Sequence, residues 1–167
     1  SDSLRVGGDK FDEAIIRFVK KEHNVLIGEP TAEEIKIKVA TVFKGHRQAE
    51  IEIRGRDLVS GLPTTLKLTS EEIYRALVEP VSMLVSCVRT VLEKTPPELS
   101  ADIIDRGIVL TGGGALLDGM AELLQAETGI ATIVADSPLE CVAVGTGKVL
   151  ASLQKLKDSV VMTQNRK

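Results

Sequence analysis

The stretch Ile108-Val109-Leu110-Thr111-Gly112-Gly113-Gly114-Ala115 decides the fold of this chain. Its apolar part predicts a β-strand that is covered on both faces. The consecutive glycines predict a tight turn into a helix from Ala115 to Glu127, with Leu116, Met120, Leu123 and Leu124 inside. Glycines let a ligand approach the backbone, and a helix N-terminus offers free N–H groups to an anion. The turn is therefore a candidate nucleotide site, and a turn needed only for packing is the alternative.

The glycine turn also resembles the fingerprint of dinucleotide-binding proteins. Gly112 and Gly114 match its first two glycines, and Asp136 ends the next strand at the expected distance. The third position is Leu117, where close packing of the helix on the strand requires Gly or Ala. Leu117 thus argues against this match, and a small dinucleotide-binding enzyme is kept only as an alternative function, beside a pure interaction module.

Downstream of the turn, strand and helix signals continue to alternate. Gly129 predicts the end of the first helix, Ile130–Ala135 a second buried strand, and Ser137-Pro138 the start of a last helix that runs to about Leu156. This alternation predicts an α/β fold. The polar residues 158–167 are predicted to be a disordered tail.

Upstream, the first predicted elements are a short strand at Leu4–Val6 and a helix capped by Asp9. The apolar positions of that helix have helical spacing: Phe11, Ala14, Ile15, Phe18 and Val19. Pro30-Thr31 opens a second helix, and Thr31 with Glu34 predicts a capping box. Its predicted buried stripe consists of Ile35, Val39, Val42 and Phe43.

The middle of the chain predicts a hairpin and a long helix. Glu50–Arg54 and Thr65–Leu68 alternate between apolar and polar residues, which indicates two antiparallel strands with one wet face. Thr69 and Glu72 form a second capping-box pattern, which begins a helix that reaches about Lys94. Pro80 lies inside it and predicts a kink or a break.

Composition excludes several classes of protein. The 167 residues hold 21 basic and 24 acidic side chains, no Trp, one Tyr and three Phe, so neither the basic stripe nor the aromatic platforms of a nucleic-acid binder are present. Cys87 and Cys141 are far apart, which predicts core thiols in a reducing cytosol and no metal site. No apolar run approaches the roughly 20 residues of a membrane span. Because the chain opens with Ser1 rather than Met and almost at once enters a strand-like stretch, we expect it to be cut from a longer protein.

Three segments, Arg5–Ile15, Leu26–Lys36 and Arg106–Asp118, resemble the MreB/Mbl family of bacterial actins, and Glu127–Ile130 and Asp136–Ala143 continue the resemblance. It covers roughly Val6 to Leu156 in the family's order and spacing. It implies an α/β, actin-like ATPase (ribonuclease H-like) fold, in which two domains flank an ATP–Mg²⁺ cleft. The chain would be the C-terminal half, domain II. Its core subdomain IIA would be residues 1–9 and 76–157, and subdomain IIB, a smaller inserted α+β lobe, residues 10–75.

The same resemblance implies which residues face the nucleotide. Gly112, Gly113, Gly114 and Ala115 would border it near its adenosine and phosphates. The helix that carries Glu33, Glu34, Ile35 and Lys36 would supply the other wall, with a carboxylate on the ribose hydroxyls and Lys36 near the adenine. Glu33 and Lys36 are three residues apart and share a helix face. Gly7 and Gly8 resemble the turn beside the sugar.

The resemblance also implies what this chain lacks. In the family, the N-terminal domain supplies the first phosphate loop, the Mg²⁺ ligands, the residues that position the attacking water and the membrane-binding segment. The second phosphate loop would lie just before Ser1. Phosphoryl transfer depends on those parts, so the chain is expected to hydrolyse no ATP and to bind ATP or ADP weakly or not at all.

Partners and location are implied in the same way. In the intact protein, subdomains IIA and IIB of successive subunits would meet in a filament. The membrane adaptor RodZ would dock on IIA, and the missing half would bind the membrane. The filaments would lie in the cytoplasm at the membrane and organise rod shape and cell-wall synthesis.

Overall fold

The computed structural model describes residues 2–152, except the side chain of Ala151. Within this range the helices are α1 (Gly8–His23), α2 (Glu29–Lys38), α3 (Ser70–Glu93), α4 (Pro97–Arg106), α5 (Met120–Thr128) and α6 (Cys141–Ala151). The strands are β1 (Val25–Leu26), β2 (Glu50–Asp57), β3 (Pro63–Thr69), β4 (Ile108–Leu110) and β5 (Thr132–Val134), and Gly113–Leu116 forms a 3-10 helix. The predicted tail and the predicted helix end near Leu156 lie outside the described residues.

Two separate sheets organise these elements. The first is antiparallel with the order β1-β2-β3, and Ile53 pairs with Leu66 in its register. The second contains β4 and β5, which run parallel with Ile108 opposite Thr132. The prediction of antiparallel strands at Glu50–Arg54 and Thr65–Leu68 is confirmed. The two-residue strand β1 was not predicted, because it is too short to show alternation.

The hydrophobic core lies mainly between the antiparallel sheet and helices α1, α2 and α3. Its largest fully buried side chains include Phe11, Ile15, Ile35, Leu68, Ile73 and Leu77. Met120 and Leu124 join the same cluster, so α5 packs against this core. One continuous cluster thus connects the part of the chain before residue 76 to the part after it. The subdomain boundaries remain a prediction.

The first two helices begin differently from the prediction. No strand forms at Leu4–Val6, and α1 begins at Gly8 with Gly7 as its N-cap, so Asp9 lies in the first turn and is not the cap. Helix α2 begins at Glu29 with Gly28 as its N-cap, and the Thr31 capping box does not form. The reason is Pro30, whose fixed φ suits the first helical turn and moves the start upstream of Thr31.

Helix α2 also ends earlier than its apolar stripe suggested. Its last residue is Lys38 and Val39 is the C-cap, so Val42 and Phe43 lie beyond the helix. Val42 is nevertheless buried, because the chain after α2 packs against the turn that precedes α5. Contact with a distant segment, and not helical periodicity, buries it.

Helix α3 begins with the predicted capping box. The Thr69 Oγ1 accepts a hydrogen bond from the Glu72 N–H at 3.3 Å, and Glu72 Oε2 accepts one from the Thr69 N–H at 2.9 Å. The helix then continues through Pro80 to Glu93, so a break there is wrong. Pro80 is buried, and packing of this segment in the core compensates for the missing backbone hydrogen bond.

We expect Thr69→Ala to lower the free energy of unfolding by ~1 kcal/mol, because the Glu72 N–H at the helix start loses its side-chain acceptor. Urea denaturation at pH 7 measures this. Thr90→Ala is the matched control, since the Thr90 hydroxyl donates only to the Ser86 carbonyl within the same helix. Equal losses in the two variants would contradict the role of the cap.

The pH dependence of this cap has a definite sign. Burial raises the pKa of Glu72, but the hydrogen bonds from Thr69 and the charge of His23 outweigh it, so the pKa lies below its ordinary value of 4.5. A lowered carboxyl pKa means that the stabilisation is present above pH 4.5 and is lost as the pH falls through the lowered pKa. The Thr69→Ala effect should therefore shrink in acid.

The glycine-turn half of the chain departs most from prediction. The helix predicted from Ala115 to Glu127 is divided into the 3-10 helix and α5, because Gly119 lies between them with φ +80°. Leu116 is 57% exposed and not inside. Gly129 does end α5 in the left-handed conformation, as predicted. Helix α6 begins at Cys141 and not at Ser137-Pro138, and helix α4 was not predicted.

The strands of the parallel sheet are also more exposed than predicted. Val109 of β4 is 55% exposed and Ile133 of β5 is 59% exposed, so neither strand is covered on both faces by residues 2–152. Helix α5 packs against β5. Cys87 and Cys141 are free and half-buried, so neither is a fully buried core thiol.

Candidate functional site

The glycine turn presents its backbone to the surface. Gly112 has φ +83°, a conformation that side chains rarely adopt, and its N–H donates to the Pro138 carbonyl at 2.8 Å. A Cβ atom at Gly112 or Gly114 would meet nothing within 4 Å, and one at Gly113 would meet Leu139 Cδ2 at 3.5 Å. A ligand could therefore approach the main chain closely here.

Two N–H groups at this turn are available to a ligand. The N–H groups of Ala115 and Leu117 donate to Gly112 and Gly114 carbonyls at 3.2 Å. Those of Gly113 and Gly114 have no acceptor among residues 2–152. The predicted α-helix N-terminus is absent here, since a 3-10 helix of 4 residues follows the strand. Its dipole is small, so anion binding would depend on these N–H groups. The Ala115 side chain is 7% exposed and packs inward, which leaves only its backbone for a ligand.

The predicted wall on α2 is only partly available. Ile35 is fully buried in the core, so its side chain cannot contact a ligand. Glu34 accepts from Lys38 at 2.6 Å across one helical turn, and both side chains are exposed. Glu33 is also exposed. The carboxylates of α2 therefore remain reachable, while Ile35 fixes the helix in place.

Lys36 lies in a specific polar contact. Its Nζ is 2.8 Å from Asp12 Oδ2 and donates to the Gly8 carbonyl at 3.4 Å, and the Lys36 and Asp12 side chains are only 17% and 14% exposed. Lys36 therefore lies beside the Gly7-Gly8 turn. The family resemblance had implied each of them as part of the nucleotide site, but not that they are in contact. Asp12 was not predicted for this site. The sequence signal that could have identified Asp12 is its position between Phe11 and Ile15, on the apolar side of α1.

No hydrogen bond or ion pair joins Glu33–Lys36 directly to Gly112–Ala115 within the described part of the chain. The two regions are connected instead by the segments that follow each of them in the sequence. The Val42 N–H and the Thr41 hydroxyl both donate to the Asp118 carbonyl, at 2.9 Å and 3.3 Å. The two predicted walls are therefore connected through neighbouring residues.

Two surface grooves lie elsewhere on the molecule. One, of about 290 Å³, lies between α3 and α5, and the other, of about 420 Å³, lies between α3 and residues 2–4. Neither is lined by the predicted site residues. Among residues 2–152, no cluster of three or more His, Cys, Asp or Glu side chains could hold a metal ion. Over the same range, every helix is too short or too polar to cross a membrane.

Comparison with known proteins identifies relatives along nearly the whole chain. The family model for MreB/Mbl proteins matches residues 1–158. The chain is 55% identical over 156 residues to the cell shape-determining protein Mbl of Bacillus subtilis (strain 168), covering 93% of this chain and 47% of that protein. It is 53% identical over 150 residues to the cell shape-determining protein MreB of Escherichia coli (strain K12), covering 90% of this chain and 43% of that protein. The chain thus spans about half the length of the curated relatives it matches.

Solved structures agree with this result. The crystal structure of MreB5 of Spiroplasma citri bound to AMPPNP matches with a TM-score of 0.89 at 36% identity, over 95% of this chain and 47% of that one. The MamK double helical filament matches with a TM-score of 0.67 at 19% identity, over 81% of this chain and 42% of that one, a likeness that shows the fold alone. The predicted α/β, actin-like fold is confirmed.

Proposed function

This chain belongs to the MreB/Mbl family, and we propose that it is half of an actin-like, ATP-binding cytoskeletal filament subunit that contributes to rod cell shape and cell-wall synthesis. The observation that carries the proposal is the open glycine turn, where Gly113 and Gly114 expose main-chain N–H groups. MreB5 of Spiroplasma citri, with the same fold, was solved with AMPPNP and with ADP.

We assign the ligand contacts as follows. The N–H groups of Gly113 and Gly114 would face the nucleotide, as would the backbone of Gly112 and Ala115. On α2, the exposed carboxylates of Glu33 and Glu34 would accept hydrogen bonds from ribose hydroxyls. Lys36, held by Asp12 beside Gly8, would lie near the adenine and the sugar. Ile35 contributes by anchoring α2 in the core.

The nucleotide in the whole subunit would carry Mg²⁺, with its phosphates held by the other domain. This chain by itself would not hydrolyse ATP, because the positioning and charge neutralisation that phosphoryl transfer needs would come from that domain. Binding sites for small ligands bury 70–90% of the ligand, so one wall provides only part of the affinity.

We expect ATP and ADP to bind this chain at ~1 mM or weaker, about −4 kcal/mol, and almost equally. The reason is that the γ-phosphate contacts would lie on the other domain. Gly113→Val should abolish binding by placing a branched side chain in the approach to the turn. Gly113 does not have a positive φ, so backbone strain does not contribute. A proton–nitrogen NMR titration with each nucleotide measures both effects.

Gly145→Val is the control for this titration, because Gly145 lies in α6 with open space around its Cβ position. Micromolar binding of ATP, or a strong preference for ATP over ADP, would place the phosphate site in this chain and overturn the assignment. The dinucleotide-binding alternative is separated by an NADH fluorescence titration. Leu117 argues against it, because this side chain is 8% exposed and packed in the core where the fingerprint needs a small residue.

Contacts between subunits would use the surfaces of this half. The β2–β3 hairpin ends in an apolar tip, with Val59 87% exposed and Leu62 64% exposed, and Asp57 accepts hydrogen bonds that hold the turn. We propose that this tip contacts a second copy of the protein, that RodZ docks on subdomain IIA, and that the other half reaches the membrane.

The purified chain keeps the surfaces assigned to subdomains IIA and IIB, so we expect it to self-associate weakly and to form no long filaments with ATP. Analytical ultracentrifugation and sedimentation with ATP test this. Val59→Asp should abolish the weak association, whereas Leu99→Asp, at a 55% exposed position of α4, should leave it unchanged. Long ATP-dependent filaments of the chain alone would overturn the proposal.

A further inference from the structure

A cluster around Asp118 joins the segment after α2 to the turn before α5. The Asp118 carbonyl accepts from the Val42 N–H at 2.9 Å and from the Thr41 hydroxyl at 3.3 Å. The following residue, Gly119, lies so close to Phe43 that a Cβ there would be 2.6 Å from Phe43 Cβ. The two segments are therefore in direct backbone contact, although more than 70 positions separate them in the sequence.

The Asp118 side chain adds charged contacts to the same link. Its Oδ2 is 3.1 Å from His46 Nδ1 and its Oδ1 is 3.4 Å from Arg47 Nη2, and the carboxylate is 18% exposed. Arg47 Nη1 donates to the carbonyls of Ile37 and Lys38 at 3.2 Å each. Those carbonyls belong to the last turn of α2. Arg47 therefore connects the C-terminal end of α2 to Asp118 directly.

This link spans the two sides of the proposed nucleotide site. Helix α2 carries Glu33 and Lys36, and Asp118 follows Ala115 by three residues along the glycine turn. We infer that Asp118, bound by His46 and Arg47, is a positioning residue that sets the spacing between α2 and the glycine turn and thereby the affinity for nucleotide. The inference rests on the proposed function.

The groups around His46 make the link sensitive to pH. Three charged side chains face His46: Asp118, Arg47 and Glu122, whose Oε1 lies 3.8 Å from His46 Nε2. The His46 ring also meets the Phe43 ring edge-on, with 6.3 Å between the ring centres. The hydrogen bond to Asp118 and the charge of Asp118 raise the pKa of His46 above 6.5. Burial raises the pKa of Asp118, but hydrogen bonds from His46 and Thr41 and the charge of Arg47 outweigh it and lower that pKa below 3.8.

The directions of these two pKa shifts define the pH range in which the contacts of Asp118 are strong. The contribution of charged His46 is complete below pH 6.5 and is lost as the pH rises through its raised pKa. The contribution of the Asp118 carboxylate is present above pH 3.8 and is lost as the pH falls through its lowered pKa. Between pH 6 and pH 8, only the His46 contribution changes, so the link weakens with rising pH.

The test uses the 167-residue chain and proton–nitrogen NMR titrations with ATP at pH 6 and pH 8. Affinity of the unmodified chain should fall by about threefold from pH 6 to pH 8 beyond any change from titration of the ATP phosphates, and this excess is the pH dependence that the link contributes. Asp118→Asn should weaken binding at pH 6 by about threefold to fivefold, the range of a partly exposed ion pair, and should remove the pH dependence. His46→Gln, at a 39% exposed side chain, should remove the pH dependence even if Asp118→Asn folds poorly. Amides of both α2 and Gly112–Ala115 should shift in either variant without nucleotide.

Glu127→Gln is the matched control. It removes another partly exposed ion pair, from Arg89 of α3 to Glu127 of α5, which touches neither α2 nor the glycine turn. If the unmodified chain binds ATP and the Asp118 and His46 variants bind it equally well at both pH values, the positioning role is wrong and the proposed function stands. If the unmodified chain shows no ATP-dependent shift at millimolar ATP, the nucleotide contacts assigned to the glycine turn and α2 are wrong, and the role of Asp118 in nucleotide affinity fails with them.

Discussion

Gly119→Ala should lower the free energy of unfolding by about 3 kcal/mol, the sum of backbone strain and overpacking. Gly119 has φ +80°, which an alanine adopts only with strain. The new Cβ would also lie 2.6 Å from Phe43 Cβ and 2.9 Å from the Phe43 nitrogen. Backbone atoms cannot rotate away, so the segments around Gly119 and Phe43 must separate. Urea denaturation followed by circular dichroism measures the loss.

Gly129→Ala separates the two contributions to this effect. Gly129 has a similar φ of +73°, but its Cβ position is open within 4 Å. This control variant should lose only about 1 kcal/mol, from the backbone conformation alone. If the two variants lose equal stability, close contact with Phe43 does not constrain Gly119, and the link between α2 and the glycine turn is weaker than the structure indicates.

Asp12→Ala should also lower the free energy of unfolding by about 3 kcal/mol, because it leaves the Lys36 ammonium largely buried without its carboxylate. The two side chains are 14% and 17% exposed, which places the effect at the low end for a broken buried pair. The Gly8 carbonyl, at 3.4 Å from Nζ, would be the remaining partner. Thermal and urea unfolding at pH 7 give the magnitude.

A double variant tests whether the buried charge is the cause. Asp12→Ala combined with Lys36→Met should recover most of the loss, since no buried charge is then left without a partner. Glu34→Ala is the control, because it breaks the exposed Glu34–Lys38 pair and should cost only about 0.3–0.5 kcal/mol. A double variant no more stable than Asp12→Ala alone would show that the pair does not act through charge.

Local signals in the sequence predicted the elements that depend on neighbouring residues. The apolar spacing of α1, the alternation of β2 and β3 and the capping box at Thr69 and Glu72 were all confirmed. Each involves residues within a few positions of one another, so the interaction that stabilises the element is visible in the order of residues. The family resemblance rested mainly on Arg5–Ile15, Leu26–Lys36 and Arg106–Asp118, and it predicted the α/β, actin-like fold correctly.

The errors arose where distant contacts decide the structure. The helix predicted through Ala115–Glu127 is interrupted at Gly119, which adopts the left-handed conformation where its backbone lies against Phe43. An apolar run such as Gly107–Thr111 shows that a strand is apolar, and cannot show which segments cover it. Pro80 predicted a kink or a break, yet burial of this residue keeps α3 continuous.

For the candidate site, the sequence by itself determined the chemical character of the residues: glycines that expose the backbone, and carboxylates and a lysine on one helix. Tertiary structure decided which of them a ligand can reach. Ile35 and the Ala115 side chain lie in the core, and Lys36 is bound to Asp12, 24 residues away in the sequence. Burial and charge pairing are set by segments that meet only on folding. For the same physical reason, the cluster that joins Arg47 and Asp118 is invisible until the chain is folded.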